Sequence, residues 1–181
     1  SVPLTKPIKS PFPHQEQAIN DVLSGLQEND RGQMIMACGT GKTLVSLWIY
    51  ERLNPNHTLV LVPSLSLMAQ TMREWTANST VKFNYLAVCS DPTVYSKNSD
   101  EYVASVTELG QPVTTDPKEI KRFLLGSGSK VVFSTYQSSL QVSAAITSDV
   151  PGFDLAIADE AHHCAGKTSR EFASVLDDSV I

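Results

Sequence analysis

Short runs of β-forming residues alternate with stretches of helical period along this chain, and that alternation restricts the fold more than any other feature. Residues 33–37, 58–62 (TLVLV), 83–88, 130–134 (KVVFS) and 154–159 (DLAIAD) read as strands, most of them apolar enough to be buried on both faces. Helix-like segments lie between them. Residues 14–26 place Ala18, Ile19, Val22, Leu23 and Leu26 on one face, and residues 64–77 do the same with Leu65, Met68, Met72 and Trp75. Residues 43–53 are apolar nearly all round, which predicts a centrally packed helix, and Asn54-Pro55 stops it. At 117–125 the start is legible in detail: Asp116 to cap, Pro117 in the first turn, Glu119 to complete a capping box, and Ser127-Gly128-Ser129 as the stop. Further helices are expected over 138–146 and 169–176. Strands separated by helices call for an α/β fold, a doubly wound and mostly parallel sheet with helices on both faces.

A chain of 181 residues fits one domain with a substantial core. No apolar run approaches the roughly 18 residues of a membrane span, and residues 1–12 read as an extended lead-in without a signal-peptide core. Cys38, Cys89 and Cys164 are odd in number and form no CxxC pair, so a disulfide framework is not expected and a cytoplasmic setting is. His162-His163-Cys164 lacks the repeated ligand spacing of a metal site. The net charge of −5 gives no global basic field, so a polyanionic partner would have to be held by local hydroxyls and backbone N–H groups. Residues 89–115, polar and irregular, read as an insertion or long loop.

In a doubly wound sheet, ligands gather at the carboxyl ends of the strands. Here those ends are 38–43, 63–64, 135–137 and 159–163. The first holds MACGTGKT. Gly39 and Gly41 let the backbone turn its N–H groups toward phosphate oxygens, with Cys38 and Thr40 in the same loop, and the following helix adds its N-terminal dipole. Lys42 would reach the β- and γ-phosphates, and the Thr43 hydroxyl would hold Mg²⁺. A bland glycine turn ending in Lys-Thr is the competing reading, because Met36 stands where the phosphate-loop pattern has its first glycine. The second signal is DEAH at 159–162, directly after the strand LAIA. Asp159 could bind Mg²⁺, and Glu160 is placed to orient or deprotonate an attacking water.

With both motifs in this order, the chain resembles the first RecA-like motor domain of a superfamily 2 helicase or translocase of the DEAH type. Further stretches fit. PFPHQEQAI resembles the motif whose glutamine reads adenine, which puts Gln15 there, and ACGTGKT resembles the family's phosphate loop, in which the early glycine is often not kept. LVLVPSLSLMAQ resembles motif Ia, which implies that Pro63, Ser64 and Gln70 lie near the nucleic-acid backbone. FSTYQSS resembles the Ib-like stretch, which implies the same for Thr135, Tyr136 and Gln137. DEAHHCAGKTSREF and VTTDPKEIKRFL are similar to the motors of restriction systems of type I or III and to related bacterial or phage helicases, and His162 would couple hydrolysis to neighbouring motifs.

The resemblance implies ATP and Mg²⁺ as cofactors and nucleic acid, DNA ahead of RNA, as partner, with no membrane role. It also implies a catalytic set of Lys42, Asp159 and Glu160. Family members continue to a Ser-Ala-Thr or Thr-Ala-Thr segment and a second RecA-like domain carrying arginines. Neither occurs in these residues, so we expect one RecA-like domain over 1–181, a piece of a larger motor, with weak turnover by itself. The parent would bring the second domain and could bring nuclease or target-recognition domains. Two other functions fit a phosphate loop: a phosphotransferase, which would need an acceptor pocket and lid, and a nucleotide-dependent scaffold, against which the intact Lys42, Thr43, Asp159 and Glu160 argue, since loss of Glu160 would be the simplest route to a dead switch.

Overall fold

The computed structural model describes residues 8–37, 39–89 and 113–159. These fall into two compact units, one within Ser1–Asn54 plus Arg73–Lys82, the other within Pro55–Met72 plus Phe83–Ile181.

In the first unit, Pro13 opens helix α1 (Pro13–Glu28), where a fixed φ suits the first turn and the missing N–H is no loss. Helix α2 (Lys42–Leu53) starts from Gly41 and ends at Asn54, both in the left-handed region, with the Asn54 N–H closing on the Tyr50 carbonyl. Its Leu44, Val45, Leu47, Trp48, Ile49 and Tyr50 are all buried, as a helix apolar nearly all round requires. Arg52 joins α2 to α1 through both oxygens of Glu16, at 2.8 Å each. That hydrogen bond, ahead of the guanidinium charge, lowers the Glu16 carboxyl from its ordinary value.

The second unit is built on a parallel sheet of β1 (His57–Val62), β2 (Asn84–Val88), β3 (Val113–Thr114), β4 (Lys130–Thr135) and β5 (Leu155–Ala158). The strand order is β3-β2-β4-β1-β5. β1 pairs with β4 from His57↔Lys130 to Val62↔Thr135, and with β5 from Thr58↔Leu155 to Leu61↔Ala158. One sheet face buries Leu59, Leu61, Leu86, Val88 and Val132 against Ile120 and Leu124 of α4 (Pro117–Leu124) and Val142 and Ala145 of α5 (Ser139–Ala145). Each fully buried side chain of this size is worth about 1.5–3 kcal/mol, so this layer stabilises the unit substantially. At the amino ends of the strands, the Asp154 carboxylate accepts the N–H groups of Asn56 and His57, both at 2.9 Å, while its own N–H donates to the His57 carbonyl. Helix α3 (Leu65–Asn78) follows β1. The α/β class and the parallel sheet are as the residue pattern predicts.

Four details depart from it. Residues 33–37 form no strand: the segment has no regular secondary structure and Ile35 is 86% exposed. Apolar composition favours a strand only when a ladder partner takes its backbone groups, and among the described residues this segment has none. The end of the expected loop at 89–115 is not loop, because Val113 and Thr114 pair with Ala87 and Val88 as β3; 90–112 lie outside the described residues. The capping box of α4 closes through an intermediary. Asp116 caps Lys118 N at 2.9 Å as expected, but its own N–H donates to Thr114 Oγ1 at 3.0 Å, and that hydroxyl donates to Glu119. The helix expected at 138–146 begins as a single 3-10 turn, Tyr136–Ser138, ahead of α5. The helix expected at 169–176 lies outside the described residues.

Candidate functional site

The glycine loop is shaped by contacts within the first unit. Gly39 and Gly41 have φ of 76° and 81°, a region open to glycine at no steric cost. Thr40 turns back on Ala37, whose carbonyl accepts the Thr40 hydroxyl at 2.7 Å and its N–H at 3.4 Å. The Gly41 carbonyl accepts from Leu44 and Val45, which starts α2. Lys42 and Thr43 therefore stand in the first turn of a helix, where N–H groups lack carbonyl partners within the helix and the dipole favours an anion.

Two side chains hold this loop from outside. Gln15, 4% exposed, donates from Nε2 to the Thr40 carbonyl at 2.8 Å and accepts the Phe12 N–H at 2.8 Å through Oε1. A trans peptide is planar, so a Thr40 carbonyl drawn toward Gln15 turns the Gly41 N–H the opposite way. The Gln15 amide also fills the space beside Gly41: a Cβ there would lie 2.6 Å from Nε2. The expected role of Gln15 in reading adenine thus meets an amide engaged at both ends with backbone. The second brace is Trp75, fully buried, whose indole N–H donates to the Thr43 carbonyl at 3.1 Å beside Ser46 Oγ at 2.8 Å. Its ring packs on Tyr50 at 5.2 Å, and burial, followed by the Glu51 charge, pushes the Tyr50 phenol up. Sequence reasoning placed Trp75 only on an apolar face; the usable signal was that a buried indole N–H must find an acceptor.

In the second unit, the carboxyl ends of β1, β4 and β5 stand side by side through the registers Val62↔Thr135 and Leu61↔Ala158. This aligns Pro63 and Ser64, Thr135 to Gln137, and Asp159. Ser64 caps α3, its carbonyl accepting Met68 N at 3.0 Å and its hydroxyl accepting Leu67 N at 3.3 Å. Ser64, Gln70 and Gln137 are exposed and Pro63 is half-buried, so all four reach solvent. Thr135 and Tyr136 are buried, with hydroxyls used internally: Thr135 Oγ1 donates to Ser138 Oγ at 3.2 Å, and Tyr136 Oη donates to the Asp159 carbonyl at 2.7 Å. Their hydroxyls are thus used within the protein, while both residues stay at the same sheet edge as Pro63 and Ser64. Asp159 is half-buried and its N–H donates to Leu61 O at 2.9 Å. Cys38, Glu160 and His162 lie outside the described residues.

Glycine loop, helix start and strand-end carboxylate define a class, and comparison with known proteins supplies the family. Residues 8–181 match the family described as Type III restriction enzyme, res subunit, and the chain belongs to it. It is a helicase-family motor domain with a RecA-like α/β fold.

Among curated proteins it is similar to the probable helicase A859L of African swine fever virus, at 34% identity over 164 residues in isolates Tick/Malawi/Lil 20-1/1983 and Pig/Kenya/KEN-50/1950. That alignment covers 90% of this chain and 17% of the viral protein. Among solved structures it resembles the Type ISP restriction-modification enzyme LlaBIII bound to DNA, with 34% identity, a TM-score of 0.80, 96% of this chain and 12% of that one. It also resembles a nuclease-deletion mutant of LlaGI, of the same type, in complex with a DNA substrate mimic. There the identity is 39% and the TM-score 0.70, over 85% of this chain and 15% of that one. The chain thus spans under a fifth of the length of each of these relatives.

Proposed function

We propose that this chain is the ATP-binding motor domain of a nucleic-acid-dependent ATPase, a helicase or DNA translocase. It would hydrolyse ATP efficiently only when paired with a second RecA-like domain. The observation that carries this reading is the glycine loop at the start of α2, whose Thr40 carbonyl is drawn toward Gln15 while the next N–H faces the other way. Such a donor set fits an anion, and the two positive-φ glycines fit the close approach of phosphate. Gly39, Thr40, Gly41 and Lys42 would hold the phosphates, with the Lys42 ammonium as the charged contact. From the resemblance, Thr43 and Asp159 carry over as Mg²⁺ ligands, Cys38 as part of the loop, Glu160 as the residue that orients water and His162 as the coupling residue. Bound Mg²⁺ would neutralise charge on the β- and γ-phosphate oxygens.

The partner in this reading is DNA, held at Pro63, Ser64, Gln70 and Gln137 through backbone and polar side chains without reading sequence, which is compatible with a net charge of −5. LlaBIII bound to DNA and LlaGI in complex with a DNA substrate mimic support DNA over RNA. Their greater lengths support a parent with further domains, and a cytoplasmic setting belongs to the same proposal. Among the described residues no helix is long and apolar enough to cross a membrane.

The test is a titration with a fluorescent ATP analogue and Mg²⁺. Lys42→Ala removes a charge-assisted contact worth about 1.5–3 kcal/mol, so affinity should fall roughly ten- to hundredfold. Gln15→Ala should weaken binding less, by releasing the Thr40 carbonyl. Binding that survives Lys42→Ala unchanged would falsify the phosphate cradle. DNA-stimulated hydrolysis by a longer protein containing this domain separates a motor from a phosphotransferase or a scaffold.

A further inference from the structure

The hydroxyl of Tyr136 has no part in the function proposed above, yet it makes one of the shorter hydrogen bonds of the second unit. Its ring lies in the core with Leu59, Leu61 and Val132, 3% exposed, and its Oη reaches the Asp159 carbonyl at 2.7 Å. β4 and β5 are not neighbours, since β1 runs between them. With strands about 4.8 Å apart, the chain leaving β4 and the chain leaving β5 are separated by roughly 10 Å. Serine or threonine could not cross that distance, and phenylalanine would cross it without a donor.

The bond also completes a clamp. The Asp159 N–H is already fixed on Leu61 O at 2.9 Å, so both backbone groups of Asp159 have partners, one from β1 and one from the turn after β4. Because peptides are planar, fixing the carbonyl fixes the peptide plane that leaves Asp159, and with the N–H bond it limits rotation about both sides of its Cα. Main-chain geometry thereby sets the Cα–Cβ direction from which the half-buried carboxylate departs. The far end of the strut is rigid as well. Ser139 Oγ donates to the Tyr136 carbonyl at 2.7 Å, and Thr135 Oγ1 bonds Ser138 Oγ at 3.2 Å across the same turn.

We propose that Tyr136 is a positioning residue for Asp159: its hydroxyl holds the Asp159 carbonyl and thereby sets the carboxylate that meets the metal. The proposal rests on the reading of Asp159 as a Mg²⁺ ligand. Groups that orient a metal ligand from outside typically contribute ten- to hundredfold in metal affinity. The effect sought is therefore on the metal requirement rather than on folding.

The experiment measures the Mg²⁺ concentration that half-saturates binding of a fluorescent ATP analogue by the 181-residue chain, with thermal melts alongside. Tyr136→Phe keeps the ring and should raise that concentration roughly tenfold, with metal-free affinity for the analogue unchanged. Ser139→Ala, which loosens the Tyr136 carbonyl, should move it in the same direction by less. Asp159→Asn separates the two levels of the argument. If Asp159→Asn raises the requirement and Tyr136→Phe does not, the positioning role is refuted and the site stands. If Asp159→Asn leaves it in place, the metal reading fails and takes the positioning role with it. Should Tyr136→Phe not fold, the Ser139→Ala result decides, and an unchanged requirement there overturns the proposal.

Discussion

The loop before α2 and the strand end at Asp159 both carry candidate site residues, yet they are held by different means. Asp159 continues from a ladder: β5 pairs along β1, and the register extends to the Asp159 N–H on Leu61. Main-chain bonds specify that position, and one tyrosine finishes it. The glycine loop continues from residues 33–37, which have no ladder among the described residues. Its shape comes from two left-handed glycines, the Thr40 turn onto Ala37, and side-chain donors from Gln15 and Trp75. A ladder spreads its cost of disruption over many equivalent bonds. A side-chain-braced loop concentrates it on a few named atoms, so single substitutions should act more sharply there.

The largest effect is expected from Gly41→Ala. The left-handed conformation costs a non-glycine residue roughly 1–2 kcal/mol, and the new methyl would meet Gln15 Nε2 at 2.6 Å. Affinity for ATP should drop at least about tenfold while far-UV circular dichroism stays as it was. Wild-type affinity in this variant would erase the contrast between the two regions. An intermediate effect is expected from Trp75→Phe, which keeps an aromatic ring beside Tyr50 and removes only the N–H to the Thr43 carbonyl. Urea unfolding should report a loss of about 1 kcal/mol, and ATP affinity should fall a few-fold, if the brace matters to the loop.

The smallest effect serves as a reference far from both regions. Lys121 and Thr147 donate to Asp149, and they hold its carboxyl down to about 2, below the ordinary aspartate value. A carboxyl depressed in the folded state adds stability that is present above its unfolded pKa and lost as pH falls through the folded one. Asp149→Asn should therefore lower the melting temperature slightly at pH 7, by a small amount because the pair is exposed, and flatten its decline between about pH 4 and pH 2 by that same amount. A variant whose acid unfolding follows the parent curve would show that this pair has no such influence.

Much of this architecture was legible because it is local. The apolar run 58–62, the all-round apolar α2 and the Asp116-Pro117 start of α4 each contain their own reason for forming, and each forms as expected. What was not legible depends on partners distant in sequence. Residues 33–37 have strand composition, but pairing makes a strand, and composition does not supply it. Val113-Thr114 is too short to carry a period and exists as β3 only because β2 offers an edge. Thr114 gave no sign that its hydroxyl would mediate between Asp116 and Glu119. At the site, the residue types at Gln15, Gly41 and Asp159 pointed to chemistry, while the direction of the Gln15 amide and the length of reach of Tyr136 are facts of three-dimensional placement.

The strand order carries a consequence for how the chain is made. β1 has β4 and β5 as its neighbours, so His57–Val62 finds no ladder partner until Lys130–Thr135 has been synthesised. During translation from the amino terminus, one of the most apolar segments of the protein must wait, its backbone unpaired, while more than sixty residues leave the ribosome. Parallel sheets with such distant pairings assemble slowly and expose aggregation-prone strands in the meantime. The interval between emergence of β1 and arrival of β4 is therefore the period in which nascent-chain chaperones have most to protect.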